Sequence, residues 1–469
     1  MRFTLIHGSE NARPSSLRKR FGARVPVYPP LGVLYLGGAL EQAGHEVDII
    51  DFFIDDDPYA AIEKSIHLSD AVGLSVDNVS YNESAHVAQY IKDKDPRLPV
   101  VIGGPHCTLY QEQSLANIPA ADVSVIGDGE QAIVDLAAAF EGTRSLSDIP
   151  GVFYREKSGI AHGKPAERIE NLDSVPFPAR HLVTRYEYGK SSKLFQSKRL
   201  TSLTTTRGCP FVCRYCTQHA ISHGYRQRSV DNVMAEFHDI IEQGYQSVML
   251  ADNIFLANQK RAHAILDELI AIDTPLELFI GGNRPDVINR SLAEKMRQAG
   301  VKYVSIGLIS GNQDMLDFLN KQTTVEQIKN VVHLCDELGF FLHGTFILGG
   351  PFEDKNHFKT TIDLACSLPL DSVTFYLLAY RRGSKLWQEA SAQGKIHGDV
   401  YETFPDKGAG LSPFTKQEIL SYRRWATQRF FYRPYYPIHL VTKALKNHDA
   451  RMVHSTVEEL MLSLHLHHM

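Results

Sequence analysis

Short β-branched runs alternate with amphipathic stretches twice along this chain of 469 residues, and this alternation constrains its fold more than any other feature. A strand followed by a helix, repeated several times, is typical of a parallel sheet with helices packed on its faces. One series fills residues 1–140 and the other fills residues 196–390. The sequence therefore predicts an α/β protein with one sheet in each half.

The first series predicts a doubly wound, Rossmann-like domain of five strands. Such a domain binds ligands at the carboxyl ends of its strands. The predicted strands are 3–6, 47–50, 71–76, 100–102 and 123–126. The predicted helices are 31–43, 82–94 and 131–140.

The second series predicts a partial barrel of six strand-and-helix units, open on one side, with its site at the strand ends. The predicted strands are 200–206, 247–251, 276–280, 303–308, 342–348 and 372–378. The predicted helices are 229–243, 258–271, 290–299, 325–339 and 355–367. Between the two domains, residues 141–195 are predicted to be a connector that contains a small hairpin.

Residues 391–469 are predicted to be a helical segment, rich in aromatic and basic side chains. One interpretation is a helix that packs on the open edge of the barrel, with arginines stacked on aromatic rings. The other is a lid over a large, flat or apolar substrate. The sequence leaves both interpretations open.

Three cysteines, Cys209, Cys213 and Cys216, follow the first strand of the second series. Three thiolates within eight residues can hold three irons of a cuboidal cluster and leave the fourth iron open. A zinc site would need a fourth ligand, and His219, the nearby candidate, lies at an unusual spacing. A disulfide framework is disfavoured because the chain has 6 cysteines in 469 residues and no secretory signal.

This CxxxCxxC motif, with Tyr215 before the last cysteine, resembles the signature of the radical S-adenosylmethionine (SAM) superfamily. The resemblance implies a 4Fe-4S cluster on the three cysteines, with SAM on the open iron as the source of a 5'-deoxyadenosyl radical. Other strand ends resemble the segments that surround SAM in this family. They add the candidate SAM contacts Asp252, Asn283, Arg284, Ser310 and Gly349.

Two further positions, Ile309 and Lys321, lie near these candidates in the sequence and are not predicted to contact SAM. Ile309 stands where relatives usually have a glutamate, in the run Gly307-Leu308-Ile309-Ser310-Gly311. An isoleucine side chain cannot make the polar contact to SAM that the glutamate makes. Lys321 follows at the usual distance, and a lysine in a surface-like stretch is expected to be solvated.

The loops after the strands of the first series are rich in glycine, which lets a backbone approach a ligand closely. Each loop alone could be a tight turn of any flavodoxin-like domain. Together they resemble the cobalamin-binding domain of B12-dependent radical SAM enzymes, which include methyltransferases and the anaerobic magnesium-protoporphyrin ester cyclase. The resemblance implies these cobalamin contacts: Pro30, Leu31, Gly32, Ser75, Gly103, Gly104, His106, Gly127, Gly129 and Glu130.

The histidine motif of classical B12 proteins, Asp-x-His-x-x-Gly, is absent after the first strand. The run His7-Gly8-Ser9-Glu10 stands there instead. Many members of the resembling class bind cobalamin without a histidine ligand, and some have lost the cofactor. The resemblance therefore implies cobalamin bound without a histidine, with loss of the cofactor as the alternative.

The composition of the chain argues against nucleic acid as a partner and against a membrane-spanning segment. A net charge of -5 gives no case for nucleic-acid binding, and no apolar run is long enough to span a bilayer. We expect a cytoplasmic enzyme that methylates an unactivated carbon of a small-molecule or lipid-like substrate, with flavodoxin or ferredoxin as electron donor. The alternatives are a cyclase, oxidase or ring-rearranging enzyme of the same superfamily, and an iron-sulfur redox sensor without catalysis.

Overall fold

The computed structural model describes residues 1–8, 28–79, 81–191, 199–273, 275–398, 400–451 and 453. Ser9, Glu10 and the end of the C-terminal segment, residues 454–469, lie outside the described residues. The chain divides into two compact units. Unit 1 comprises Met1–Tyr188 with Ala220–Arg228, and unit 2 comprises Gly189–His219 with Ser229–Met469.

Unit 1 is built on one sheet in the order β2-β1-β3-β4-β5-β6-β7. The first five strands run parallel, as the sequence predicted, and the strand order reverses between β1 and β3. The strands are β1 (Arg2–His7), β2 (Glu46–Asp51), β3 (Ala71–Ser75), β4 (Val100–Gly103), β5 (Val123–Val125), β6 (Val152–Glu156) and β7 (Gly159–His162). Ligands of doubly wound sheets bind beside such a reversal, at the carboxyl ends of the strands.

Helices cover both faces of this sheet. They are α1 (Leu31–Gln42), α2 (Pro58–Ile66), α3 (Tyr81–Lys94), α4 (Pro105–Tyr110), α5 (Gln113–Asn117) and α6 (Glu130–Phe140). The sequence pattern predicted α1, α3 and α6 and missed the other three. Helix α2 carries a clear start signal, because Asp57 caps it by accepting a hydrogen bond from the amide N of Ala60, and Pro58 occupies its first turn.

The predicted hairpin forms, and it extends the sheet of unit 1. Strand β6 pairs antiparallel with β5, and β7 pairs with β6. The extended segment that follows lies on α1, where the amide of Ala179 donates to the carbonyl of Leu34 at 3.0 Å. A side chain at Gly38 would place its Cβ 2.4 Å from the carbonyl oxygen of Phe177. Only glycine allows this close approach of helix and segment.

Unit 2 contains six parallel strands paired in sequence order, which confirms the partial barrel. They are β8 (Leu200–Leu203), β9 (Ser247–Leu250), β10 (Glu277–Asn283), β11 (Val301–Ile309), β12 (Phe341–Leu348) and β13 (Ser372–Leu377). The core of the unit lies between this sheet and its helices. Because β8 and β13 form the two edges of the sheet, the barrel stays open.

Most helices of unit 2 are capped by side chains. The helices that follow the strands have the N-cap residues Ser229, Asn258, Asn289, Thr324 and Asp354, each of which accepts a backbone amide hydrogen bond. The helices that begin in unit 2 are α7 (Gln218–Ser222), α8 (Val230–Glu242), α9 (Gln259–Ile272), α10 (Arg290–Gln298), α11 (Gln313–Phe318), α12 (Val325–Glu337), α13 (Lys355–Ser367), α14 (Lys385–Ala392), α15 (Lys416–Phe431) and α16 (Tyr436–Asn447).

The aromatic and basic tail packs against the barrel. Helix α15 lies on β13 and α13, and Arg433 donates to the carbonyl of Cys366 at 2.7 Å while its guanidinium stacks on Phe430. Lys443 of α16 pairs with the buried Asp371 at 2.5 Å, just before β13. The described tail therefore takes the edge-packing interpretation. None of the described helices is long and apolar enough to cross a membrane.

Candidate functional site

The three cysteines lie on the loop after β8, at the carboxyl edge of the barrel sheet. They are half-buried free thiols, and Cys209 packs with Tyr215 against the barrel core. Burial raises the pKa of the Cys209 and Cys216 thiols, and the nearby charge of Cys213 raises each pKa further. The three thiols therefore share one short loop at the end of β8.

The donor set of this loop separates a cluster from a single metal ion. Within the described ranges, no three His, Cys, Asp or Glu side chains converge as ligands of one ion. The zinc site considered from the sequence therefore has no matching geometry there. Three neighbouring thiols at this spacing do fit the attachment of a 4Fe-4S cluster, whose irons are spread over a cube.

Two cationic side chains border the cysteine loop. Arg284, at the end of β10, places Nη1 3.5 Å from the sulfur of Cys213 and stacks over the ring of Phe211 at 3.8 Å. Its guanidinium is held by Asp286 at 2.9 and 3.0 Å and donates to the carbonyl of Lys321. Arg284 is 4% exposed, so these contacts fix its charge beside the thiols.

Lys321 is buried, which contradicts the expectation that it is solvated. Its side chain is only 4% exposed, and a Cβ at Gly307 would lie 3.4 Å from its Nζ. Burial lowers the pKa of Lys321, while the neighbouring thiol of Cys213 raises it. The described residues give Nζ no ion-pair partner. The charge of Asp286 also raises the pKa of Lys321 and so partly compensates the buried ammonium. No signal in the sequence shows this burial.

Asp252, a candidate SAM contact, holds the start of the cysteine loop. Its carboxylate accepts hydrogen bonds from the amide of Thr205 at 3.1 Å, from Oγ1 of Thr205 at 2.9 Å and from Oγ1 of Thr206 at 2.5 Å. Arg261 supports the same turn by donating to the carbonyl of Thr205 at 3.0 Å. Burial raises the pKa of Asp252, and these hydrogen bonds oppose the shift. Its oxygens are therefore occupied within the protein.

Asn283 and Ser310 lie at the ends of β10 and of β11, and differ in what they offer. Asn283 donates from Nδ2 to the carbonyl of Ser305 at 3.3 Å, while its buried Oδ1 has no hydrogen-bond partner among the described residues. Ser310 is fully buried and its hydroxyl accepts from the amide of Asn312 at 3.1 Å. Asn283 thus presents a free acceptor, whereas Ser310 stabilises the turn after its strand.

Ile309 adopts a left-handed backbone, with φ of 72°. This region is sparsely populated by β-branched residues. Its side chain is buried, at 4% exposed, at the position where the resemblance places a glutamate. The backbone of this strand end is therefore held in an unusual conformation around an apolar side chain.

The turn after β12 contains Gly349, with φ of 106°, and a buried carboxylate. The amides of Gly349 and Gly350 donate to Oε2 of Glu353 at 2.8 and 2.6 Å. The other oxygen, Oε1, is buried without a hydrogen-bond partner in the described structure. Burial raises the pKa of Glu353 to about 7. Glu353 was not among the site residues predicted from the sequence.

The predicted cobalamin loops meet at the carboxyl edge of the unit 1 sheet. Pro30, Leu31 and Gly32 start α1, Ser75 and Gly103 end their strands, and Gly127, Gly129 and Glu130 lead into α6. Gly32 and Gly127 are exposed, and a Cβ at either would meet no atom of the described residues within 4 Å. Their backbone is therefore accessible to a ligand as far as the described residues are concerned.

Gly104 and His106 have structural roles beside this edge. Gly104 has φ of 112°, and a Cβ there would lie 2.9 Å from the carbonyl oxygen of Val76. His106 is buried between Tyr81 and Tyr110, with ring centroids at 4.6 and 4.4 Å. The imidazole of His106 is therefore packed inside the unit and does not face the open space.

Two family models match the chain and define its class. The B12 binding domain matches residues 20–137, and the Radical SAM superfamily matches residues 203–365. The protein belongs to the cobalamin-binding radical SAM superfamily and is an enzyme of that class. Its cofactors are a 4Fe-4S cluster, SAM and cobalamin.

The chain is also similar to individual methyltransferases and to a cyclase. An uncharacterized methyltransferase of Pyrococcus horikoshii is 29% identical over 87% of this chain and 88% of its own. The anaerobic magnesium-protoporphyrin IX monomethyl ester cyclase of Rubrivivax gelatinosus is 28% identical over 84% of this chain and 71% of its own. The radical SAM methyltransferase TsrM of Kitasatospora setae, solved with cobalamin and a [4Fe-4S] cluster, shares the fold. It superimposes with a TM-score of 0.66 at 22% identity over 84% of this chain and 75% of TsrM.

Proposed function

We propose that this enzyme methylates an unactivated carbon of a small molecule. The observation that carries the proposal is that one chain joins the grouped thiols of unit 2 to a B12-binding domain with open glycine loops. When bound, the cluster and SAM supply a radical that removes a substrate hydrogen, and cobalamin supplies a methyl group. The methyltransferase from Pyrococcus horikoshii, similar over most of both chains, supports this choice.

Cys209, Cys213 and Cys216 would hold the cluster. The guanidinium of Arg284, with Nη1 3.5 Å from the sulfur of Cys213, places a positive charge beside one of these ligands. The buried ammonium of Lys321 adds a second positive charge on the same side. In this proposal the negative charge of the loaded site adds to that of Asp286 in stabilising the buried ammonium of Lys321.

SAM would lie along the carboxyl edge of the barrel. The free Oδ1 of Asn283 is suited to accept a hydrogen bond from the amino group of SAM. Gly349 would act through the backbone of the turn after β12, where its φ of 106° favours glycine. Tyr215 is half-buried beside the thiols. Desolvation, together with the charge of Cys213, raises the pKa of its hydroxyl, so it stays neutral. Asp252 and Ser310 would act indirectly, by fixing the turns that carry the other contacts.

Cobalamin would lie over the open edge of unit 1. Gly32 and Gly127 provide free space, and Gly104 brings the β4 loop close to the sheet. Because His106 is enclosed by two tyrosine rings, we propose that it shapes this edge and does not ligate cobalt. Of these predicted cobalamin contacts, the glycines would therefore act through their backbone, whereas the side chain of His106 is packed inside the unit.

The first experiment is anaerobic reconstitution of the full chain with iron, sulfide and hydroxocobalamin, followed by desalting and metal analysis. We expect about four irons and one cobalt per chain, and cleavage of SAM by the reduced protein. Cys213→Ala should abolish cleavage, whereas Cys366→Ala, a half-buried thiol elsewhere in unit 2, should leave it intact. Cleavage that persists in Cys213→Ala would contradict the ligand assignment.

The second candidate is a cyclase, which the similarity to the Rubrivivax gelatinosus enzyme favours. SAM with an isotopically labelled methyl group separates the two functions. A methyltransferase moves the label into product, whereas a cyclase oxidises substrate and leaves the label in methionine. Retained cobalt together with labelled product would support the proposed methyltransferase. An oxidised product without label would contradict that proposal and support a cyclase.

We propose further that flavodoxin or ferredoxin reduces the cluster and that the enzyme works in the cytoplasm. The support is chemical: the described chain has six free cysteines, which reducing compartments preserve. Replacing a chemical reductant with flavodoxin and its reductase tests the donor. SAM cleavage that requires the chemical reductant would contradict it.

A further inference from the structure

The outer side of α16 is apolar and exposed, although its inner side packs on the barrel. Ile438, Val441 and Leu445 are 68%, 50% and 71% exposed. Because they are spaced by three and four residues, they share one side of the helix. Tyr432 and Tyr435, which are also exposed, lie in the turn between α15 and α16. These five side chains form the tail face.

Exposed apolar side chains are concentrated around the tail face. Twelve large apolar side chains are exposed in the described chain, and six of them lie between residues 425 and 445. The sixth member of this group is Trp425 of α15. Exposed apolar residues scattered singly need no explanation, whereas a group of them on one element indicates a binding surface.

The inner side of α16 is fixed to the barrel, so the tail face stays on the outside. Tyr436 donates to the backbone carbonyl of Asp371. Lys443 pairs with the carboxylates of Asp371 at 2.5 Å and Asp336 at 2.9 Å. Leu440 is buried in the core of unit 2. The tail face is therefore held as a rigid surface.

The charge of these helices selects a partner for the tail face. Residues 419–448 contain no Asp or Glu, although the chain has 54 acidic residues among 469. The same stretch contains the basic residues Arg423, Arg424, Arg429, Arg433, Lys443 and Lys446. Two of them, Arg424 and Lys446, are exposed and form no ion pair in the described structure. Arg424 lies two turns before Tyr432, and Lys446 follows Leu445, so these cations border the tail face at both ends.

The carboxylates that neighbouring helices bring close to this surface are already paired. Asp363 of α13 pairs with Arg429 at 2.6 Å. Glu337 of α12 pairs with Arg290 at 2.8 Å, and its backbone carbonyl accepts from Lys446 at 3.0 Å. The positive charge at the ends of the tail face is therefore left for a partner.

We propose that the tail face binds peripherally to the surface of an anionic lipid membrane. Its aliphatic side chains suit the boundary between headgroups and acyl chains, tyrosine rings suit the same depth, and the two cations can meet lipid phosphates. A second copy of the chain fits less well, because a symmetric contact would place these cations opposite one another without a carboxylate. The inference does not depend on the proposed function, since no cofactor or substrate takes part in it.

The test is sedimentation of the full-length protein with vesicles made of an equimolar mixture of phosphatidylcholine and phosphatidylglycerol. We expect saturable binding that is at least about tenfold weaker on vesicles of phosphatidylcholine alone, because the two cations then lose their anionic partner. High salt should weaken binding to the mixed vesicles in the same direction. No saturable binding, or equal binding to both kinds of vesicle, overturns the proposal.

Variants assign the binding to the tail face. Ile438→Glu and Leu445→Glu place a negative charge on it, and each should weaken binding to the mixed vesicles at least about tenfold. Both side chains are exposed, so the variants should fold, which circular dichroism checks. Leu68→Glu, at an exposed leucine of unit 1, is the matched control and should bind as the wild type does. Unchanged binding in both tail-face variants, or an equal loss in Leu68→Glu, would contradict the assignment.

Two other occupants of the tail face would give different results. If a second copy covers it, analytical ultracentrifugation shows a dimer that Leu445→Glu dissociates, and the wild type does not bind vesicles. If residues 454–469, which lie outside the described residues, cover it, a chain that ends at Val453 binds the mixed vesicles and the full-length chain does not. Either result overturns the proposal.

Discussion

The buried carboxyl of Glu353 gives a sharp prediction about stability and pH. Its Oε2 accepts two backbone hydrogen bonds, while Oε1 has no partner in the described structure. A neutral acid with its proton on Oε1 avoids an uncompensated buried charge. Burial raises its pKa to about 7 from an ordinary 4.5. The native state therefore binds this proton more tightly than the unfolded chain does.

The sign and size of the effect follow from linkage. Between these two pKa values the native carboxyl is protonated and the unfolded one is not, so stability falls as pH rises. Each pH unit in this window costs about 1.4 kcal/mol, and the total loss is about 3 kcal/mol, complete above the native pKa. Glu353→Gln keeps an acceptor for both amides and cannot ionise. We expect the variant to gain about 2 to 3 kcal/mol over wild type between pH 5 and pH 8.

Urea unfolding of the reduced apoprotein measures this difference. Both tryptophans, Trp387 and Trp425, lie in unit 2, so their fluorescence reports the unit that contains Glu353. Glu268→Gln, on the exposed surface of α9, controls for loss of a carboxylate. A stability difference between Glu353→Gln and wild type that does not change with pH would refute the reasoning.

Three further changes have defined outcomes. Gly38→Ala should destabilise unit 1 by about 2 kcal/mol or more, because the added methyl group meets the carbonyl of Phe177. Gly32→Ala, where a Cβ meets no described atom, should leave the stability unchanged, and thermal unfolding of the two variants measures the difference. Asp252→Asn should cost about 2 to 4 kcal/mol, since an amide cannot accept all the loop hydrogen bonds, and iron analysis should show less cluster. Lys321→Met should lower the reduction potential of the reconstituted cluster by on the order of 50 to 100 mV, whereas Lys321→Arg should not, as measured by an EPR redox titration.

The sequence predicted elements well where local pattern decides them. The parallel strands of both sheets follow β-branched runs, and their order along the chain predicted a doubly wound sheet and a partial barrel. The pattern missed α2, although Asp57 and Pro58 mark its start, because the helix is short, at 9 residues. It missed α14 in the same way, although Ser384 caps that helix with its hydroxyl.

The candidate site was predictable only in part. The cysteine motif is local in sequence, so three ligands could be named together. Burial is not local: Lys321 looked solvated because nothing near it in the chain shows that β11 passes under its side chain. Asp252 and His106 were placed at the right strand ends, yet their partners, Thr205 and Tyr81, come from other elements. Which side chain stays free for a ligand depends on such distant partners.

The sequential strand order of the barrel also has a consequence for its synthesis. Because β8 to β13 pair with their neighbours in the chain, each new strand can add to the sheet soon after it leaves the ribosome. The last strand, β13, also contacts helix α15, which is made later. Until that helix is complete, the free edge of β13 can pair with another chain. Pausing within residues 378–415 should therefore leave β13 exposed and promote aggregation.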